Sequence, residues 1–394
     1  MKILILSPEM ILPANTGGRI GIYNRIKALI HQGHKVYLVI TAKKNDVDVQ
    51  YIKELEMLCE HVEVYIRDDV LFKSIIKYFI TTIPYGVLSR LFNKKVESVI
   101  YSNKFDIILS EYPQMLLNLV GCKTQAKIVL EQHNIEYEAL SSIARSYSFF
   151  NPKKILYYIE SLKMRYYEKR IVKLIRPKMT TFVSSDDMEK YDLCNNNTKF
   201  LASQGVADYY SNLQNNKKIV TFVANFGYKP NIDAAKWVIK NILPQVSKIL
   251  PEVEFWFVGK DPTPELIRVG KKYNNVTFTG YVDNLTFYYE QTTIIIIPIF
   301  TGGGINIKTL EAASTNRVIV ATDFALRGTG LVDNVHVLRA NTASQFSDKI
   351  IDIFNNIKNY KVMTENCYKY FRNNLSKDVV YEKWVNKIES ICEK

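Results

Sequence analysis

The apolar positions of this 394-residue chain fall into short unbroken runs separated by amphipathic stretches. That alternation predicts parallel strands joined by helices. Lys2–Leu6 opens as a strand, and a loop carrying Pro13, Asn15, Thr16, Gly17 and Gly18 follows. Gly21–Gln32 places Ile22, Ile26 and Leu29 on one helical face, and Gly33 stands where a C-terminal cap is needed. Val36–Ile40 returns as a strand, so the chain begins with a βαβ unit and a glycine loop. Val62–Ile66, Ile107–Ser110, Ile128–Glu131 and Thr181–Ser184 add strands to this half. Between them lie a basic stretch from Leu71 to Lys95, read as helical and broken at Pro84, and a long basic helix over 151–178. Asp186 and Asp187 suit a helix N-terminal turn.

The polar runs Asn195–Asn197 and Gln214–Lys218 bracket a junction. Beyond it, strands are predicted at Ile219–Ala224, Glu254–Val258, Val276–Thr279, Thr293–Pro298, Val318–Ala321 and His336–Leu338. Helical patterns separate them, including Asp233–Leu250 and Ser344–Ile357. A last helix over 377–393 carries Val380, Trp384, Ile388 and Ile391 at helical spacing. The predicted organisation is a first Rossmann-like domain over 1–203, a linker over 204–217, a second such domain over 218–376, and a C-terminal helix over 377–394 that returns to the first domain. Two parallel α/β domains would leave a cleft between the carboxyl ends of two sheets, where ligands of such folds bind.

Three segments fall at strand ends facing that expected cleft: Gly17–Gly18, His133, and Gly302–Gly304. The stretch Phe300–Thr322 is the most informative. Its three glycines expose backbone amides at the positive end of a following helix, which suits an anion such as a diphosphate. Lys308 and Glu311, three apart, share a helix face. Lys308 can meet phosphate charge, and the Glu311 carboxylate can accept from two vicinal hydroxyls of a ribose. By themselves these two could equally be a solvated ion pair. His133, ending a strand in EQHNIEYEAL, can hydrogen-bond a sugar hydroxyl or a phosphate. The loop after the first strand lacks the GxGxxG spacing of a dinucleotide site.

Composition narrows the class. Hydrophobic residues make 47% of the chain and charged ones 23%, an ordinary soluble balance. No apolar run reaches the roughly 18 residues of a membrane span. MKILILSPEM is too short an apolar run for a signal peptide, which predicts a cytoplasmic protein. Five scattered cysteines without a CxxC pair predict reduced thiols, and neither they nor the five histidines show metal-ligand spacing. The net charge is +13, concentrated in part over 151–178, where nine Lys/Arg stand against two Glu with Tyr157, Tyr158, Tyr166 and Tyr167 interleaved. That helix reads as a solvated face with aromatics packed inward, or as a contact for an anionic membrane surface on the inner face of the plasma membrane. Nucleic-acid signatures are absent, so no nucleic-acid partner is expected.

In order along the chain, PANTGGRIGIYNRIKALIHQGHKV, EQHNIEYEAL, TTFVSSDDMEKY, SQGVADYY, VANFGYKPNIDAAKW, WFVGKDP, FTGYVDNLTFYY and FTGGGINIKTLEAAS resemble the segments of retaining glycosyltransferases of family 4. The last is similar to the subgroup with a GGG-x-x-x-K-x-L-E-A donor motif. The resemblance implies a GT-B fold of two facing Rossmann-like domains, and a hexosyl transfer from a UDP- or GDP-linked sugar to a glycan, lipid-linked or protein acceptor. No cofactor is expected, and no metal is needed if the loop amides and Lys308 meet the diphosphate charge. It places Glu311 on the donor ribose, and Gly302, Gly303, Gly304 and Ile305 on the diphosphate and sugar. Tyr281 and Val282 would line the base, with Lys260 nearby. Gly17 and Gly18, with Arg19 beside them, would close on the diphosphate and orient the acceptor. His133 would contact the transferred sugar. Gly303 stands where many relatives have Glu, and of the Arg/Lys pair usual after the first strand of the donor domain only Lys229 is basic. A non-catalytic glycan- or nucleotide-binding subunit and a sugar-nucleotide epimerase of the same fold are the alternatives.

Overall fold

The computed structural model describes residues 1–67, 81–191, 198–202, 204–211, 217–301 and 305–393. The chain forms two compact units: Met1–Ser203 with Val380–Lys394, and Gln204–Val379.

The first unit is built on a parallel sheet of β1 (Lys2–Ser7), β2 (Lys35–Lys43), β3 (His61–Arg67), β4 (Ile107–Glu111), β5 (Lys127–Gln132), β6 (Met179–Phe182) and β7 (Thr198–Leu201). Its strand order is β3-β2-β1-β4-β5-β6-β7. Ile3 of β1 sits beside Val36 of β2 on one side and Ile107 of β4 on the other, so the order reverses at the β1–β4 edge. The short edge strand β7, not anticipated from its TKFL sequence, extends the sheet. Helix α1 runs from Gly17 to His31. It therefore begins four residues earlier than the pattern predicts. Gly17, Gly18 and Arg19 form its first turn rather than a loop, because the Thr16 side chain caps the helix by accepting from the Arg19 amide. Gly33 follows the helix with φ +80°, the left-handed conformation expected of that cap.

Within the stretch from Leu71 to Lys95, Pro84 directly precedes a short helix at Tyr85–Leu88, and a second helix, Asn93–Ser102, begins near its end. Residues 71–80 lie outside the described residues. Helix α2 (Glu136–Ser146) and the 24-residue helix α3 (Pro152–Ile175) pack on the same sheet.

The second unit has a parallel sheet of β8 (Ile219–Val223), β9 (Glu254–Val258), β10 (Val276–Phe278), β11 (Ile294–Ile297), β12 (Val318–Ala321) and β13 (Leu338–Arg339), ordered β10-β9-β8-β11-β12-β13. β13 begins two residues later than predicted. The four isoleucines of β11 are fully buried between β8 and β12. Each contributes about 1.5–3 kcal/mol of burial. Helix α4 (Ile307–Ala313) follows β11, and helix α5 (Lys377–Ser390) ends the chain. Trp384, Val385 and Ile388 of α5 join Ile3, Ile5, Ile26 and Leu29 in the core of the first unit. No helix among the described residues is long and apolar enough to cross a membrane.

Candidate functional site

Both sheets place candidate residues at their topological switch points, where the strand order reverses and loops on either side part to admit ligand.

In the first unit the switch lies between β1 and β4, and a buried polar cluster occupies it. Arg25 of α1 grips Glu111 with two hydrogen bonds, Nε to Oε1 at 3.1 Å and Nη2 to Oε2 at 2.6 Å. His133 Nε2 lies 2.7 Å from the same Oε2. Glu131, on the adjacent strand, accepts from Trp384 Nε1 at 3.1 Å and from the Thr181 hydroxyl, and lies 3.9 Å from Arg25. Two carboxyls thus share one guanidinium, and their acidities separate. Burial alone would raise both. Arg25 and the His133 hydrogen bond overcome it at Glu111, which is held below the ordinary carboxylate range. At Glu131 burial wins over the more distant Arg25, with Glu111 adding repulsion, and its carboxyl is pushed up.

Tyr112 joins this cluster to the start of α1. Its ring stacks on His133, with centroids 4.1 Å apart and planes 10° from parallel. Its backbone holds φ 69° and ψ 151°, a region that is essentially glycine-only and costs on the order of 1–3 kcal/mol. The strain persists because the Tyr112 amide donates to the Glu131 carbonyl and its carbonyl accepts from Ser110 Oγ. Burial, with Glu136, Glu9 and Glu111 nearby, keeps the phenol protonated. Its hydroxyl sits over Gly18. Gly18 and His133, singled out separately from sequence, are therefore joined through Tyr112. Arg19 turns instead to Glu9, with Nε 2.9 Å from Oε2. Arg25, Glu111, Glu131 and Tyr112 were not selected from sequence. The available signal was a carboxylate at the end of apolar strand β4 and another one residue before the end of apolar strand β5.

In the second unit the switch lies between β8 and β11. Gly302, Gly303 and Gly304 lie outside the described residues. Ile305 after them is buried, and Asn306 caps α4 by accepting from the Lys308 amide. Lys308 Nζ and Glu311 Oε2 are 2.8 Å apart. Their shared face is as predicted, but Glu311 is only 8% exposed, so it is no surface ion pair. Burial, with Glu311 nearby, pushes the Tyr209 phenol up to about 12.

The loops ending β8, β9 and β10 carry the other candidates. Gly259 has φ +140°, and a Cβ there would stand 1.9 Å from the Ala224 carbonyl oxygen, so only glycine lets these loops meet. Lys260 follows it, its carbonyl accepting from Phe226 N at 2.9 Å. Tyr281, just after Gly280, is exposed, and Val282 is half-buried. Lys229 pairs with Asp233 at 2.8 Å on the surface of its own helix. Among the described residues, no group of three or more His, Cys, Asp or Glu is arranged to hold a metal ion.

The second unit carries a glycosyltransferase group 1 domain, since residues 217–356 match the family model described as Glycosyl transferases group 1. The whole chain has the GT-B fold. It matches the crystal structure of a glycosyltransferase from Rickettsia africae ESF-5 with TM-score 0.69 and 17% identity, covering 99% of this chain and 98% of that one. The Anabaena protein Alr3699/HepE in complex with UDP matches with TM-score 0.70 and 12% identity over 99% and 100%, and the same protein is also solved with UDP-glucose. In sequence, the chain is 26% identical over 395 aligned positions to an uncharacterized 44.6 kDa protein in the cps region of Klebsiella pneumoniae, covering 96% of this chain and 98% of that one.

Proposed function

We propose that this protein is a retaining glycosyltransferase of family 4, with the triple-glycine donor motif. It moves a hexosyl group from a nucleotide-diphosphate sugar to an acceptor hydroxyl in cell-surface polysaccharide or glycoconjugate biosynthesis. The observation that carries the reading is Glu311, a buried carboxylate on the helix that follows the switch-point loop of the group 1 domain. A carboxylate there can accept from both ribose hydroxyls of a donor nucleotide. Main-chain amides of the Gly302–Gly304 loop, Ile305 and Lys308 stabilise the departing diphosphate, which takes the acceptor's proton on the face where it leaves. Lys260, Tyr281 and Val282 flank the base. Lys229, engaged by Asp233, is the weakest of the donor-side candidates. Gly17, Gly18 and Arg19 belong to the acceptor side, and His133 contacts the transferred sugar. UDP-bound and UDP-glucose-bound structures of the Anabaena protein support a nucleotide-sugar donor, and the cps-region relative supports the polysaccharide setting.

The acceptor in this reading is lipid-linked, at an anionic membrane surface. The aromatic residues of α3 do not all pack inward. Tyr167 is buried, whereas Ile155, Tyr158, Leu162 and Tyr166 form an exposed stripe at successive turns, with Phe149 and Phe150 at its N-terminal end. Lys154, Arg165 and Lys169 flank it on one side and Lys163 and Arg170 on the other. An apolar ridge between basic rows suits the boundary of an anionic bilayer.

A panel of UDP- and GDP-sugars scored by thermal stabilisation, followed by acceptor screening with the best donor and NMR of the product anomer, tests the reading. A retained anomeric configuration with chelator present is the expected result. Complete loss on chelation restored by Mn²⁺ would overturn the metal-independent mechanism. Tight nucleotide binding without transfer to any acceptor would make the protein a binding subunit, and conversion of the donor sugar without acceptor would make it an epimerase.

A further inference from the structure

The contacts around His133 determine which ring nitrogen carries the proton. Oε2 of Glu111 receives Arg25 Nη2 at 2.6 Å and meets His133 Nε2 at 2.7 Å, while Nη2 and Nε2 are 3.0 Å apart. A guanidinium donates only, and an ionised carboxylate accepts only. Were Nε2 without hydrogen, its lone pair would point at a carboxylate oxygen 2.7 Å away, two acceptors in repulsive contact. With a hydrogen on Nε2, the 2.7 Å contact to Glu111 becomes a charge-assisted hydrogen bond beside that from Arg25 to the same oxygen, and the longer 3.0 Å contact from Arg25 Nη2, which a lone pair on Nε2 would accept, is the one given up. The paired bonds from Arg25 keep Glu111 ionised, as does the attraction that holds its carboxyl below the usual range. The ring cannot tilt to escape, because Tyr112 stacks on its face and Tyr112 is itself pinned at both its amide and its carbonyl.

We propose that Arg25 and Glu111 are positioning residues that fix His133 in its Nε2–H tautomer, leaving Nδ1 as a hydrogen-bond acceptor for a hydroxyl of the transferred sugar. The second half of this proposal rests on the transfer reading given above. Among the described residues Nδ1 makes no hydrogen bond, so its lone pair is available. The carboxylate–imidazole pair is the usual device for setting which nitrogen of a histidine faces its ligand.

The experiment is ¹⁵N–¹H NMR of the full-length protein with ring-labelled histidine. The chain has five histidines, and His133→Gln assigns the resonance. The wild-type ring is expected as Nε2–H, a measurement that needs no fold-perturbing variant. In Glu111→Gln the amide can donate to Nε2, so the ring is expected to shift toward Nδ1–H. With the best donor of the panel, kcat is then expected to fall at least about tenfold while the donor KM moves less than about threefold. Arg25→Lys, which keeps charge but loses the paired grip, is expected to fall between. A wild-type Nδ1–H ring overturns the proposal. So does a Glu111→Gln protein whose tautomer switches while kcat stays within about twofold. A wild-type Nε2–H ring in a protein that transfers no sugar overturns the sugar-contact half together with the transfer reading, and leaves the tautomer assignment standing.

Discussion

The Tyr112 hydroxyl occupies the place that a side chain on Gly18 would need: an ideal Cβ there would stand 2.5 Å from the phenolic oxygen, but 3.7 Å from Cζ. Tyr112 has nowhere to go, since its ring lies on His133 and its backbone is bonded on both sides. Gly18→Ala is therefore expected to destabilise the first unit by about 1–3 kcal/mol and to lower kcat through the displaced His133. Gly18→Ala/Tyr112→Phe removes the clashing oxygen while leaving an ordinary contact, and is expected to recover most of the lost Tm. Thermal unfolding of the two single variants and the double decides this. A double variant no better than Gly18→Ala would show that the contact is not what makes this position a glycine.

Glu311 is expected to matter for turnover rather than for folding. Glu311→Ala should lower kcat on the order of a hundredfold with unchanged secondary structure by circular dichroism. Nucleotide release at a near-normal rate, measured with the true acceptor, would remove Glu311 from the donor site. If Lys308 stabilises the departing diphosphate as proposed, Lys308→Met should lower kcat as well as raise the donor KM, because the charge it meets grows as the donor bond breaks.

The carboxyl pair gives stability two opposed pH slopes. Glu111, depressed when folded, stabilises above its unfolded value, and that contribution is lost as pH falls through the folded pKa. Glu131, raised when folded, does the reverse: the unfolded chain ionises first, so stability falls as pH rises from the unfolded value toward the folded one. Gln at 131 can accept from Trp384 Nε1 through its oxygen and donate from its amide N–H₂ to the Thr181 hydroxyl, without titrating. Glu131→Gln should therefore gain Tm relative to wild type as pH rises above about 4.3, the ordinary glutamate value. A Tm difference that stays flat from acid to neutral pH would contradict the assignment.

The α3 ridge predicts lipid-dependent partitioning. Full-length protein should sediment with vesicles containing phosphatidylglycerol and remain in solution with pure phosphatidylcholine, and about 0.5 M salt should weaken the binding by screening. Leu162→Glu/Tyr166→Glu should abolish partitioning with Tm preserved, as both side chains are exposed. Equal binding by this variant and by wild type would place the contact elsewhere.

How much of this was legible in the sequence depended on whether a feature is local. The strands Glu254–Val258 and Val318–Ala321 were read to the residue, because unbroken apolar runs between turn residues are a local signal. The start of α1 was misplaced because paired glycines oppose a helix by propensity, while the Thr16 cap favours one and Tyr112 demands a position without a side chain. Glu311 was visible from spacing, but its burial was not. The Arg25–Glu111 pair was invisible for a topological reason. Its members are 86 residues apart, and they meet only because the strand order reverses beside β1. The edge strand β7 is only four residues long and follows the polar run Asn195–Asn197, so it offers no apolar run long enough to recognise.

The hydrogen bond from Trp384 to Glu131 joins residues 253 apart, with the whole second unit between them in the chain. During translation the first sheet can form early, yet Glu131 lacks its indole partner until the last helix leaves the ribosome. The first unit is begun first and finished last. A nascent chain stalled anywhere in the second unit would hold a partly assembled first unit, and messages truncated just before Trp384 would yield a protein with the whole of the second unit and a first unit lacking its closing helix.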